Sequence, residues 1–273
     1  GRLREAIDFA QRAGAAAPPE AQANQEAKLA EGQARSLMGD WKGTLALLQP
    51  TLAFWDKHRR ERFGHTGTRS VWCHGYLSHA LCIKEDLEAA AVHAQEAFDI
   101  ATETQRPFDM IFALHRLGRV QIAAGNHEEA LALLMEVLRR SDEIEAPIIA
   151  PWCSCDAVQT LLAVGRIDEA HNLLNRHTQA AKHFELRHFH GWLRLRKAEL
   201  LEITGRHVDA AAEAQAALAS AQECGDLLLE PTALALLAQT QTAPEKATTL
   251  KVAREMARAR ALPLLPLYRP WRP

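Results

Sequence analysis

Apolar residues recur along most of this 273-residue chain at intervals of three and four, the period of an amphipathic α-helix, and the runs are cut by Gly, Pro and short polar stretches. The clearest run is 111–143, where Leu117-Gly118, Gly125, Ala130, Leu134 and Val137 mark one helix, a turn glycine and a second helix. Shifted by forty residues, the pattern returns. Gly125 has counterparts at Gly165 and Gly205, with Glu85 in the same register, and Ala130 has counterparts at Ala90, Ala170 and Ala210. Small residues at the crossing point let two helices approach closely, and a fixed period of this length marks a stacked helical-hairpin repeat.

Extended along the chain, the beat predicts an all-α fold: a right-handed α-solenoid of about six stacked antiparallel helix hairpins over 1–260, followed by a Pro-rich tail at 261–273. Residues 1–17 read as the second helix of a truncated hairpin, with Gly1 at the turn and Ala6 at the crossing, ended by Pro18-Pro19. A first helix follows at 22–38, with Gly32 at the close-packing position and Gly39 at the turn. Its partner starts near Trp41 and meets Pro50, which is expected to kink it or offset its first turn. From Gly39 to Glu85 is 46 residues rather than 40, so 55–69 reads as an inserted loop, the longest and the expected mobile element. Helix pairs are then predicted at 70–83 and 87–102, 108–123 and 127–142, 148–163 and 167–183, 188–203 and 207–223, and 231–242 and 244–260.

Leu117-Gly118, Gly125, Ala130 and the 40-residue recurrence resemble tetratricopeptide repeats in a long-repeat form. More narrowly, RRERFGHTGTRSVWCHGYLSHALC and HAQEAFDIATETQRPFDMIFALHRLG are similar to the C-terminal repeat region of bacterial adenylate/guanylate cyclase-like and ATPase-type signalling proteins. The resemblance implies a sensor or partner-binding arm of a larger chain, not its catalytic part. The sequence has no G-x-x-x-x-G-K-[ST] phosphate loop and is too short to add a cyclase domain, so neither activity is assigned to it.

Composition narrows the function without naming it. A net charge of −2 gives no electrostatic footprint for nucleic acid. No apolar run reaches the roughly 18 residues of a membrane span, and the start lacks a signal-peptide layout. Five cysteines, an odd number scattered through helical pattern, fit buried thiols in a reducing cytoplasm. No cofactor or metal site is expected: Cys153 and Cys155 lie two apart on a helix and point to different faces, with no second pair at zinc spacing. The histidines at 171, 177, 183, 188 and 190 and the basic run 57–62 read as metal, titrating or phosphate sites, or as solvated helix ends.

Candidate contacts fall in columns. Trp72, Phe112, Trp152 and Trp192 are forty apart in the early turns of the first helices. They form either a stacking wall for a peptide or planar ligand, or a repeated packing spacer. Two turns on lie His79, Arg119, Gln159 and Glu199, and between the columns His115. His79, His115 and Arg119 suit an acidic group, Arg119 best because guanidinium pairs bidentately with carboxylate or phosphate. No titratable cluster is arranged for catalysis. The expectation is a non-catalytic scaffold for a protein or peptide partner, other domains of the same polypeptide included. A small-molecule sensor and an oligomerisation module are the alternatives, the latter through the tail residues Leu262, Leu264, Leu265, Leu267, Tyr268 and Trp271.

Overall fold

The computed structural model describes residues 2–144, 150–183 and 187–262. All regular structure in them is helical. The chain divides into two compact units, Arg2–Ile144 and the part from Glu145 onward.

The first unit carries α1 (Leu3–Ala15), α2 (Gln22–Leu37), α3 (Trp41–Leu48), α4 (Leu52–Lys57), α5 (Arg69–Lys84), α6 (Leu87–Thr104), α7 (Pro107–Ala124) and α8 (His127–Glu143). The second carries α9 (Ala150–Ala163), α10 (Ile167–His183), α11 (Arg187–Ile203), α12 (His207–Cys224), α13 (Leu229–Gln239) and α14 (Ala243–Ala259). Within the first unit α1 packs on α2, α2 on α3, α5 on α6, α6 on α7 and α7 on α8, and within the second each helix from α9 to α14 packs on the next; α5 and α7, or α9 and α11, also touch as first helices of successive pairs.

The turns explain the forty-residue beat. In the first unit Gly39, Glu85 and Gly125 sit at φ 79°, 66° and 82°, and in the second Gly165 and Gly205 sit at 79° and 76°. The following N–H closes back onto the helix: Asp40 N to Arg35 O at 2.9 Å, Asp86 N to Leu81 O at 3.0 Å, Asn126 N to Gln121 O at 2.9 Å, Arg166 N to Leu161 O at 2.9 Å and Arg206 N to Leu201 O at 2.8 Å. This closure satisfies carbonyls the helix end would otherwise orphan, and it needs a left-handed residue, which is why glycine recurs there. Glu85 takes that conformation at a cost of roughly 1–2 kcal/mol. Asp40 and Asp86 then cap the next helix, accepting from Gly43 N at 2.9 Å and Ala89 N at 3.4 Å. Ala90, Ala130, Ala170 and Ala210 are all fully buried, as crossing positions must be. The α1 expectation is corrected: Ala6 is exposed, and α1 instead buries Ala10 and brings Gly14 against Ala27 of α2.

Pro50 opens a 3₁₀ turn at Gln49–Thr51, after which α4 takes up residues expected to be loop and buries Trp55 completely. The connection 58–68 is fastened to the unit. Arg59 pairs with Glu96 and with Glu103 (2.9 Å), Arg60 pairs with Glu103 (3.2 Å), and Arg106 donates to the Arg60 carbonyl (3.2 Å) and Thr68 Oγ1 (2.5 Å). The tail expected at 261–273 lies, beyond the buried Leu262, outside the described residues. Among the described residues no helix is long and apolar enough to cross a membrane.

Candidate binding site

In the first unit, α5 and α7 bring Trp72 and Phe112 together. Their rings stack with centroids 5.3 Å apart and planes 14° apart, and Phe108 stacks on the indole at 5.8 Å. Tyr76 meets Phe112 edge-on at 5.4 Å. Two arginines complete the cluster: Arg69 lies 5.0 Å over Trp72, and Arg116 lies 4.5 Å over Phe112 and 5.7 Å over Tyr76. Cation–π contacts of this kind strengthen as water is excluded, and here Phe112, Tyr76 and Arg116 are buried while Trp72 is half-buried. Burial lowers the Arg69 pKa and raises that of Tyr76.

The remaining first-unit candidates lie on the same two helices. His79 is buried, its Nδ1 2.7 Å from Ser36 Oγ of α2. His115 is fully buried and Arg119 half-buried. Trp72 and Phe112 therefore form a contact between first helices, and the half-buried Trp72 and Arg119 are the candidates nearest solvent in this unit.

In the second unit, Trp152 and Gln159 of α9 are half-buried, and the Trp152 ring meets Phe189 at 6.1 Å. Trp192 donates Nε1–H to Asp226 Oδ2 at 2.8 Å. Asp226 also accepts from Leu228 N (3.0 Å) and Leu229 N (2.8 Å), fixing the entry to α13; burial raises its pKa, and His188 and these donors oppose that. Glu199 is buried in an ion pair with Arg196. Of the histidine cluster, His188 is buried and lies 3.9 Å from Asp226, His171 contacts Asn175 at 3.2 Å, His177 is buried and His190 half-buried. The side chain of His183 lies outside the described residues.

Sequence reasoning passed over Arg116 and Arg196. They are eighty residues apart in one register, which the period alone reveals, but arginine on a helix ordinarily reads as surface. Cys153 and Cys155 are buried, and burial pushes the Cys73 thiol up to about 12, where a thiolate nucleophile is not formed. Among the described residues no group of three or more His, Cys, Asp or Glu is arranged to hold a metal ion.

A titrating contact joins α4, α5 and α6. His74 Nε2 lies 3.0 Å from Asp56 Oδ1 and its Nδ1 lies 2.9 Å from His93 Nδ1. Burial, reinforced by His74 and opposed by Asp56 and Glu96, lowers the His93 pKa from 6.5 to about 4. The unfolded chain then takes up a proton near pH 6.5 that the folded protein refuses until about pH 4. Stability from this group is complete above the higher value and is lost as pH falls to the lower one. Because the ring is partly exposed, about 1–2 kcal/mol is expected to go. His93→Gln should flatten the melting-temperature profile in that window; an unchanged slope would remove His93 as its source.

No protein-family model and no curated protein sequence matches this chain. Solved structures do. The Rap conjugation gene regulator of plasmid pLS20, in complex with the Phr* peptide, is 16% identical, with a TM-score of 0.74 over 95% of this chain and 70% of that one. Aspartyl phosphate phosphatase F from Bacillus subtilis gives 14% identity and 0.67 over 96% and 68%. A signal transduction ATPase with numerous domains, carrying a tetratricopeptide repeat sensor, from Pyrococcus horikoshii gives 14% and 0.60 over 96% and 40%. These likenesses show the fold: an all-α helical repeat of the tetratricopeptide-like solenoid class.

Proposed function

We propose that the chain is a non-catalytic regulatory domain that binds a peptide or an extended segment of a protein. The likeness over 95% of the chain to a regulator solved with a bound peptide carries this reading. In the first unit the half-buried Trp72 and Arg119 supply an aromatic face and a guanidinium for a carboxylate, and in the second the half-buried Trp152, Gln159 and Trp192 supply aromatic faces and an amide. Phe112 backs Trp72 by stacking on it, and His79, His115 and Glu199 are buried on the same helices as the outer residues. Residues 1–260 act as one repeat domain, the arm of a larger bacterial signalling protein of the cyclase- or ATPase-linked kind; the likeness to a signal transduction ATPase with a repeat sensor supports this. Binding would act on attached domains only through different affinity for their two states.

Titration of the whole chain with a peptide panel, read by tryptophan fluorescence, tests the proposal. A saturable change that disappears in Trp152→Phe and Trp192→Phe is expected. Folded protein that gives no saturable response to any peptide would sink it.

A further inference from the structure

In the second unit α10, α11 and α12 form an open-mouthed cavity of about 180 Å³, lined by Thr178, His190, Leu193, Arg194, Lys197 and Glu213, none of them one of the aromatic positions. The wall from α11 is ordered by helix geometry. His190, Arg194 and Lys197 stand at i, i+4 and i+7, so all three project from one face, with Leu193 beside them. From α12, Glu213 meets both cations: Arg194 Nη1 at 3.0 Å from Oε2 and Lys197 Nζ at 2.6 Å from Oε1. One carboxylate against two cations leaves a positive charge in excess. His190 adds a ring nitrogen, Nε2, that is shielded from water and without a hydrogen-bond partner, whereas the Thr178 hydroxyl is spent on the Leu174 carbonyl at 2.7 Å and serves only as wall.

The geometry points to an anion site: a cavity that takes the carboxylate or phosphate group of a small molecule. The arriving group would face the Arg194 fork and the Lys197 ammonium with Glu213 as the resident competitor, while the unpartnered His190 Nε2 offers a further polar contact. Arg194 and Lys197 are about half exposed (46% and 48%), so the anion can reach them from solvent, whereas Glu213 (17%) stays behind them. Size limits the ligand to a few heavy atoms around its charged group. The site is independent of the peptide reading, since it uses none of the aromatic positions, and it would let the same repeats respond to a metabolite.

The test is thermal stability of the full chain at low salt, titrated with inorganic phosphate and separately with succinate. At least one is expected to raise the melting temperature saturably, and which one does so separates a phosphate from a carboxylate preference. Lys197→Gln and Arg194→Gln should each weaken the apparent affinity roughly tenfold, the effect of losing one charge-assisted hydrogen bond. Glu213→Gln should strengthen it severalfold by removing the competitor. Lys251→Gln, on the exposed face of α14, changes net charge equally and should leave affinity unaltered. Stabilisation that is non-saturable, or equal in all four variants, would be the general salting effect of these anions and would overturn the site, as would no response to either.

Discussion

Glu199→Leu is expected to lower the unfolding free energy by about 3–5 kcal/mol, the usual cost of stranding one charge of a buried pair. Arg196 and Glu199 are 2% and 3% exposed, joined by a 2.7 Å bond from Nη1 to Oε2, with the guanidinium 5.9 Å over the Trp192 ring. Arginine cannot shed its proton inside a protein, so removing the acid leaves a cation in the core. The reverse change is milder. In Arg196→Met the acid can take up a proton, and burial already raises the Glu199 pKa against the pull of Arg196. That variant should lose about 1–3 kcal/mol, and more as pH rises. Arg196→Met with Glu199→Leu should return to within about 1 kcal/mol of the parent, because a packed apolar pair replaces both charges. Urea denaturation of the three variants measures all of this. A Glu199→Leu loss below about 1 kcal/mol, or a double variant no better than it, would mean the pair is solvated. Peptide binding in the double variant then tells whether Glu199 serves only the core.

What the sequence revealed was backbone, and what it hid was side-chain burial. Gly39, Glu85, Gly125, Gly165 and Gly205 were readable because few residues accept positive φ, so the turn imprints itself on composition. Ala90, Ala130, Ala170 and Ala210 were readable because a crossing excludes bulk. The columns of first-helix side chains were not, since periodicity says that a helix has an apolar face but not how much of its circumference is covered. α5 buries thirteen of its sixteen residues, including Arg69, His74 and His79, so polar residues that look like surface lie inside. The fastening of 58–68 was invisible for another reason. Arg59 and Arg60 find Glu96 and Glu103 some forty residues away, and nothing local in KHRRER announces those partners. The anion cavity combines both difficulties, because its α11 face is legible as spacing while Thr178 and Glu213 come from neighbouring helices.

Gly32→Val should cost about 2–4 kcal/mol, at or above the usual range for overpacking, although valine is the better helix former. Gly32 is the point where α2 crosses α3. A Cβ placed there would meet Leu48 Cδ2 at 2.5 Å, Cγ at 2.7 Å and Cδ1 at 3.0 Å, and Leu48 is fully buried. The approach is held on the other side by Thr44, whose Oγ1 reaches the Gly32 carbonyl at 3.4 Å and the Asp40 carbonyl at 2.8 Å. Sliding α3 away would therefore stretch these contacts and disturb the cap that Asp40 forms on it. Gly32→Ala adds one methyl and recovers nearly 1 kcal/mol of helix propensity, so its net loss should be smaller, about 1–2 kcal/mol. A double-variant cycle isolates the clash. Leu48→Ala alone should lose about 2–5 kcal/mol by leaving a cavity, but in that background the new methyl of Gly32→Ala fills space instead of colliding. The pair should be less destabilised than the sum of the singles by about 1 kcal/mol or more. Strict additivity would show that α2 and α3 separate to accept the methyl, and the close crossing read from a single glycine would then contribute little to holding the first hairpin together.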